Sequence, residues 1–312
     1  MLKKFFYLII VFIVIVTIGI IYLSIFGIKT SKLNKNISSK IQENYPKLNF
    51  ELNSINLILN PFNFTIQLKT KNPKIKFQNK ELNIQEVSTN YKLKSFLKKD
   101  FGIKNIFLQS EKNKIFDILQ LVRTNKDNAQ IYLLQKLLKS GDMTLSAKLN
   151  FDESGKIKED YKIYGDIENL SFKLLDKTEF KEIKTSFVYS KKNLKLEKTI
   201  FKYLDTKIES KNIEILEKNN LFFVNGVLNN NYSNIDEKIL KIFYKKDIFT
   251  DLVLSSENQF NFVVSKKFKI SNIKLSSTIN LKQANLNFTN KNLNKIIDGY
   301  NDVIIFKNHS IN

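Results

Sequence analysis

Residues Asp142–Phe151 read DMTLSAKLNF. Met143, Leu145, Ala147, Leu149 and Phe151 alternate with Asp142, Thr144, Ser146, Lys148 and Asn150. A β-strand sends successive side chains to opposite faces, so the segment predicts a strand with one apolar and one hydrated face. The pattern recurs. Phe62, Phe64, Ile66 and Leu68 alternate with polar residues, and Ile273, Leu275, Ile279 and Leu281 keep period two with a break at Ser277. Ala284, Leu286 and Phe288 resume it one register over. Looser versions run through Phe50–Leu59, Tyr161–Ile167, Ile183–Tyr189 and Phe260–Val264. Most of the chain after about residue 46 therefore reads as half-apolar strand. Its apolar face has three fates open to it: an enclosed core, a bilayer, or a carried ligand.

Phe5–Ile28, FFYLIIVFIVIVTIGIIYLSIFGI, holds 24 residues without a charge. At about 1.5 Å per residue it makes roughly 36 Å of helix, enough to cross a bilayer. A cleaved signal peptide has a shorter apolar core of about 7–15 residues and a small-x-small cleavage site. The expectation is an uncleaved anchor, with Phe5, Leu8, Val14, Ile20 and Ile28 along it. Lys3 and Lys4 precede the span, and Lys29, Lys32, Lys35 and Lys40 follow it, so the flanking lysines do not settle the orientation. The short leading tail favours a cytoplasmic N-terminus and an exported body.

This divides the chain into a tail and anchor (1–28), an amphipathic juxtamembrane helix (29–45) and a β-rich body (46–312). Leu33, Ile37, Ile41 and Tyr45 form the stripe of the second segment, which stops near Pro46 and is expected to continue the membrane helix. Within the body, helical spacing is visible over Lys112–Arg123, Ala129–Leu138, Asn234–Tyr244 and Asn290–Gly299. Gly141 stands where a helix C-terminus would use it. Turn chemistry marks Asp152–Lys156 (DESGK) and Asn229–Asn231. A strand over Asp302–Lys307 leaves an edge to be met by a protein partner or by continuation of the chain.

Composition narrows the function classes. There are no cysteines, which removes disulfides and thiolate chemistry. His309 is the only histidine, which argues against a histidine triad or zinc site. The net charge of +21 invites a nucleic-acid reading, but Arg123 is the only arginine and the lysines are dispersed over polar strand positions. No nucleic-acid partner is expected. Ser95–Lys98 matches S-x-x-K without its companion motifs. Glu159–Asp160 and Asp236–Glu237 are adjacent carboxylates, the first pair read as opposite-facing strand neighbours and the second as a helix start. No catalytic, cofactor or metal site is assigned.

The order of basic tail, membrane helix, amphipathic helix and alternating strands resembles the AsmA-like family, of the YhdP and TamB type. The resemblance rests on LNFELNSINLILNPFNFTIQLKTKNPKIKF (Leu48–Phe77), on GDIENLSFKLL (Gly165–Leu175), and on the repeated strands FKEIKTSFVYSKKNLKLEKTIFKYLDTKIESKNIEI. It implies a bacterial inner-membrane anchor, a periplasmic body, and an elongated, curled antiparallel β-groove implicated in moving phospholipid toward the outer membrane. The chain would be a short member or the N-terminal portion of a longer one. With about 14–18 strands spaced ~4.8 Å apart, it would span roughly 65–85 Å.

Phe62, Phe64, Ile66, Leu68, Met143, Leu145, Leu149, Phe151, Ile273, Leu275, Ile279 and Leu281 are the candidate groove lining, with phospholipid acyl chains as the partner. The expected function is phospholipid transport or envelope homeostasis without catalysis. The alternative is a membrane-tethered scaffold for envelope assembly whose sheet closes over its own core. An outer-membrane barrel also alternates, but a helical anchor and the absence of tryptophan oppose it.

Overall fold

The computed structural model describes residues 2–44, 46–95, 102–125, 129–174, 178–204, 206–235, 249–287 and 303–311. The protein is mainly β, with 65% of it in strands, and its sheet is antiparallel and open instead of closing into a barrel. The described residues hold four helices: α1 Leu2–Ile25, α2 Asn34–Asn44, α3 Ile115–Asn125 and α4 Ala129–Leu137. They hold 17 strands. The chain forms two compact units, one of residues 1–132 and 143–164, the other of residues 133–142 and 165–312.

Helix α1 is the apolar segment, and Lys4–Ile25 is long and apolar enough to cross a membrane. It stops three residues before the expected end of the anchor. Gly27 adopts φ 65, a left-handed conformation that ends helices cheaply only without a Cβ. A Cβ there would also lie 2.5 Å from the carbonyl oxygen of Leu57. The chain then enters β1, Ile28–Thr30. So the amphipathic helix does not continue the membrane helix, and Ile28 belongs to a strand. Helix α2 follows instead. Its Asn34 amide donates to the Leu52 carbonyl at 3.0 Å, and its Ser38 hydroxyl to the Phe50 carbonyl at 2.7 Å.

The first unit continues with β2 Leu48–Glu51, β3 Ile55–Asn60, β4 Thr65–Lys71, β5 Lys74–Phe77, β6 Lys80–Lys92, β7 Ile103–Ser110, β8 Asn113–Lys114 and the later part of β9, Leu138–Asn150. Strands β1, β3, β4, β6, β7 and β9 pair antiparallel in that order. Strands β2 and β5 pair with each other, and β5 with the start of β6. Phe77, Leu82, Ile84, Ile55 and Ile115 are its buried apolar side chains. Buried Asn113 extends the ladder: its amide accepts from the Asn83 N–H and donates to the Asn83 carbonyl, both at 2.9 Å. Helix α4 runs straight into β9, so Gly141 lies inside a strand and is not a helix terminus.

The second unit is a meander of β10 Lys162–Leu174, β11 Thr178–Ser190, β12 Asn193–Tyr203, β13 Thr206–Lys218, β14 Leu221–Asn234, β15 Phe249–Ser265, β16 Ile270–Asn287 and β17 Val303–Ile311. The first three residues of β10 belong to the first unit. The turn expected at Asn229–Asn231 is absent. These residues lie inside β14, where Asn229 faces Glu209 on one side and Glu257 on the other. The turn is at Asn219–Asn220, with φ 52 and 62, where asparagine tolerates the left-handed region. The expected helices at 234–244 and 290–299 fall almost wholly outside the described residues, except that Asn234 ends β14.

Asp152–Lys156 forms the expected turn. The Asp152 carboxylate accepts hydrogen bonds from the Ser154 N–H and hydroxyl at 2.8 Å and from the Lys156 N–H at 3.0 Å. These bonds, led by the Ser154 hydroxyl, hold its pKa below the ordinary 3.8. Its contribution to stability is therefore complete above about pH 3.8 and is lost as the pH falls through the depressed value. Carboxyl NMR titration should place the midpoint below 3.8, and Ser154→Ala should move it upward. For the core, Phe77 is 1% exposed. Phe77→Ala should cost about 3–5 kcal/mol in chemical denaturation, whereas Phe62→Ala should stay within about 0.5 kcal/mol.

Candidate functional site

The register of the second unit sorts its side chains into faces, because residues opposite one another in a ladder project to the same side. Phe187, Leu196, Ile213, Gly226, Phe260 and Leu275 stand opposite one another in turn across β11 to β16. The row two residues along each strand is Tyr189, Leu194, Ile215, Val224 and Phe262. Both rows are uncharged. The row between them projects to the other side and reads Val188, Lys195, Glu214, Asn225, Asn261 and Lys274. The sheet thus has an apolar face and a charged one, and ion pairs such as Lys202–Glu182 at 2.8 Å and Lys195–Glu214 at 3.7 Å lie on the latter.

Holding the apolar side chains on one face requires breaks in the alternation. In β10 the apolar positions are Ile163 and Ile167, then Leu170 and Phe172. Between them Asn169 takes φ 51. In β11 Phe180 is followed by Ile183, Phe187 and Tyr189, with Glu182 at φ 52. In β12 Leu194 and Leu196 give way to Phe201 and Tyr203 across Lys198, also at φ 52. A bulge residue shifts the parity of every later position in its strand, so each break returns the next apolar side chain to the same face. Beyond the breaks lies an aromatic cluster. The Phe180 ring sits 4.8 Å from Phe172, 5.7 Å from Phe201 and 5.3 Å from Tyr203. At the break itself the face carries hydroxyls. Thr185 and Thr199 share a buried hydrogen bond of 2.7 Å, and Ser210 stands opposite Thr199.

Burial shows how this face is used. Ile183, Phe187 and Val224 are buried, whereas Leu196, Ile213, Phe222, Phe260 and Phe262 are half-buried and Leu275 is 68% exposed. A second layer stacked about 10 Å away would bury whole rows. Here neighbouring side chains shelter one another, and no second layer covers them among the described residues. The Phe260 ring lies over Gly226, where a Cβ would come within 2.8 Å of its tip.

The first unit has an apolar face of its own. Ile28, Leu57, Leu68, Thr89, Ile106 and Leu149 stand opposite one another across β1, β3, β4, β6, β7 and β9. Ion-paired Lys69 and Glu86, 2.6 Å apart, project to the other side.

Of the residues expected along the anchor, Phe5, Leu8, Val14 and Ile20 lie exposed on α1. Of the expected lining, Ile66 and Leu68 lie on β4, Met143, Leu145 and Leu149 on β9, and Ile273, Leu275, Ile279 and Leu281 on β16. Phe151 stands outside β9, bridged to Ile157. Phe62 and Phe64 are in the turn between β3 and β4, 94% and 59% exposed. Phe187, Leu196, Ile213 and Phe260 of the second unit's central row are not among the expected lining, and parity breaks interrupt the alternation of β11 and β12. Apolar residues two apart, displaced by one place at Glu182 and Lys198, are the signal that finds Phe187 and Leu196.

Glu159 and Asp160 occupy a turn instead of a strand, and Ser95 is buried. Asp236–Glu237 and Phe96–Lys98 lie outside the described residues. Among the described residues no three His, Asp or Glu side chains gather as metal ligands. Compared with models of protein families, with curated proteins and with solved structures, the chain finds no match.

Thr199→Val removes one partner of the buried hydroxyl pair. It should cost about 1 kcal/mol in denaturation, and a cycle with Thr185→Val should show coupling of about 0.5–1 kcal/mol.

Proposed function

We propose that this protein is a single-pass, membrane-anchored carrier of phospholipid acyl chains, of the AsmA-like kind. In this reading α1 holds it in a bacterial inner membrane, its β body lies in the periplasm, and it serves phospholipid transport or envelope homeostasis. One observation carries the reading: an uncharged apolar row runs across six consecutive strands of an open sheet, without a second layer over it among the described residues. Acyl chains laid on such a face leave water at about 0.8 kcal/mol per methylene, so sheltering half of a sixteen-carbon chain contributes about 6 kcal/mol. Headgroups stay at the open side, so no charge is desolvated. The face is the same kind of surface from strand to strand, so a chain can shift along it without a specific site to leave. Such carriage asks for no nucleophile, acid–base pair or metal.

The test is cross-linking in reconstituted membranes with a phospholipid bearing a photoreactive acyl chain, mapped by mass spectrometry. Adducts are expected on Phe187, Leu196, Ile213 and Phe260 as well as on α1. Ile213→Asp should lower the β-sheet adducts several-fold while leaving those on α1, and Lys195→Asp on the opposite face should leave both. Adducts confined to α1 in the unaltered protein would remove the carrier reading and leave that of a tethered assembly scaffold.

A further inference from the structure

The turn between β3 and β4 is built against the usual chemistry of turns. Gly, Asn, Asp, Ser and Pro dominate such positions. This one reads Pro61, Phe62, Asn63, Phe64, and its two rings are 94% and 59% exposed. The turn is well tied. The Asn60 side-chain oxygen accepts from the Asn63 N–H at 3.1 Å, and the Phe64 carbonyl accepts from the Leu93 N–H at 2.9 Å. Phe64 is held at φ 48, a region that disfavours any side chain with a Cβ. The rings are therefore presented outward by an ordered backbone.

The register says which way they are presented. Helix α1 ends at Ile25, and three residues later Ile28 stands opposite Leu57 of β3. Strands β1 and β3 are antiparallel, so the chain arrives from the helix at the end toward which β3 runs. Three residues beyond Leu57, β3 ends at Asn60 and the phenylalanine turn begins. Turn and helix exit thus share one end of the ladder. Lys92 is there too, opposite Thr65 at the start of β4. The Lys94 ammonium sits 5.9 Å from the centre of the Phe64 ring. Another turn at this end, after Asn150 of β9, is Asp152, Glu153, Ser154 and Gly155, a composition suited to water. Among the described residues of these two turns, the exposed aromatic side chains are in the one beside the helix exit.

We propose that Pro61–Phe64 is a second membrane contact. Phe62 and Phe64 enter the boundary between headgroups and acyl chains of the bilayer that α1 crosses, and Lys92 and Lys94 meet its lipid phosphates. Phenylalanines that bury at the headgroup and acyl boundary beside lysines on the polar side are a composition of interfacial segments, and lysines gain near anionic lipid. The contact fixes the tilt and rotation of the first unit on its anchor, which a single helix joined through Gly27 leaves free. The proposal rests on α1 being a membrane span.

The protein has no tryptophan, so single replacements report single positions. Val14→Trp lies in the middle of α1. Phe62→Trp lies in the turn. Asn79→Trp lies at the far end of β6, about 40 Å along the strand. Each full-length variant is reconstituted into phosphatidylcholine–phosphatidylglycerol vesicles with lipids brominated at shallow or deep acyl carbons. Circular dichroism confirms the fold. V14W should be quenched by deep bromines, F62W roughly twofold by shallow ones, and N79W by neither. Quenching of V14W while F62W behaves as N79W does would overturn the second contact alone. Failure to quench V14W would remove the anchor and the turn proposal with it.

Discussion

Keeping apolar side chains on one face through a bulged ladder is the constraint on which this architecture depends. A strand that gains one residue turns every later side chain over. In β10, β11 and β12 such breaks occur, and the residue at each break, Asn169, Glu182 and Lys198, adopts a left-handed backbone. For a glutamate or lysine that conformation costs about 1–2 kcal/mol. Turning Ile183, Phe187 and Tyr189 to the charged face would cost several kcal/mol in lost burial at about 25 cal/mol per Å². The second effect outweighs the first, so the strained backbone is the cheaper arrangement.

That segregation links the sheet to its proposed use. A face able to shelter acyl chains must be apolar over several strands and must not be filled by a layer of the protein's own. The central row from Phe187 to Leu275 meets the first condition, and the half-buried state of Leu196, Ile213 and Phe260 meets the second. The many lysines then have a plain role. Lys195 and Lys202 sit on the other face, in pairs such as Lys202–Glu182, where exposed ion pairs add little stability but keep that face hydrated. Charge at these positions describes a surface exposed to water.

The first unit begins with the helix long and apolar enough to cross a membrane. Gly27 ends the helix, and Ile28 immediately joins the row that includes Leu57, Leu68 and Leu149. The apolar row of this sheet therefore begins three residues from the end of the apolar helix. In the proposed reading, lipid leaving a bilayer around α1 would meet apolar side chains without first crossing a charged surface, because Lys29 points to the opposite side of the ladder from Ile28.

The sequence by itself determined the membrane-length helix, the β class and the two-faced character of individual strands. Each depends on local periodicity, which a single segment carries whole: Met143 to Leu149 alternate in the chain and in β9 alike. Turn chemistry was readable where a side chain closes the turn, as Asp152 does, and misleading where asparagines pair across strands, as Asn229 and Asn230 do in β14. Phe62 and Phe64 alternate as faithfully as any strand, yet they form a turn, because alternation says nothing about which backbone hydrogen bonds are made. Tertiary structure alone decided which strands became neighbours, where left-handed residues reset the parity, and that the sheet stayed open instead of closing into a barrel. Those properties belong to pairs of segments distant in the chain, and a closed core and an open face are written with the same alternating residues.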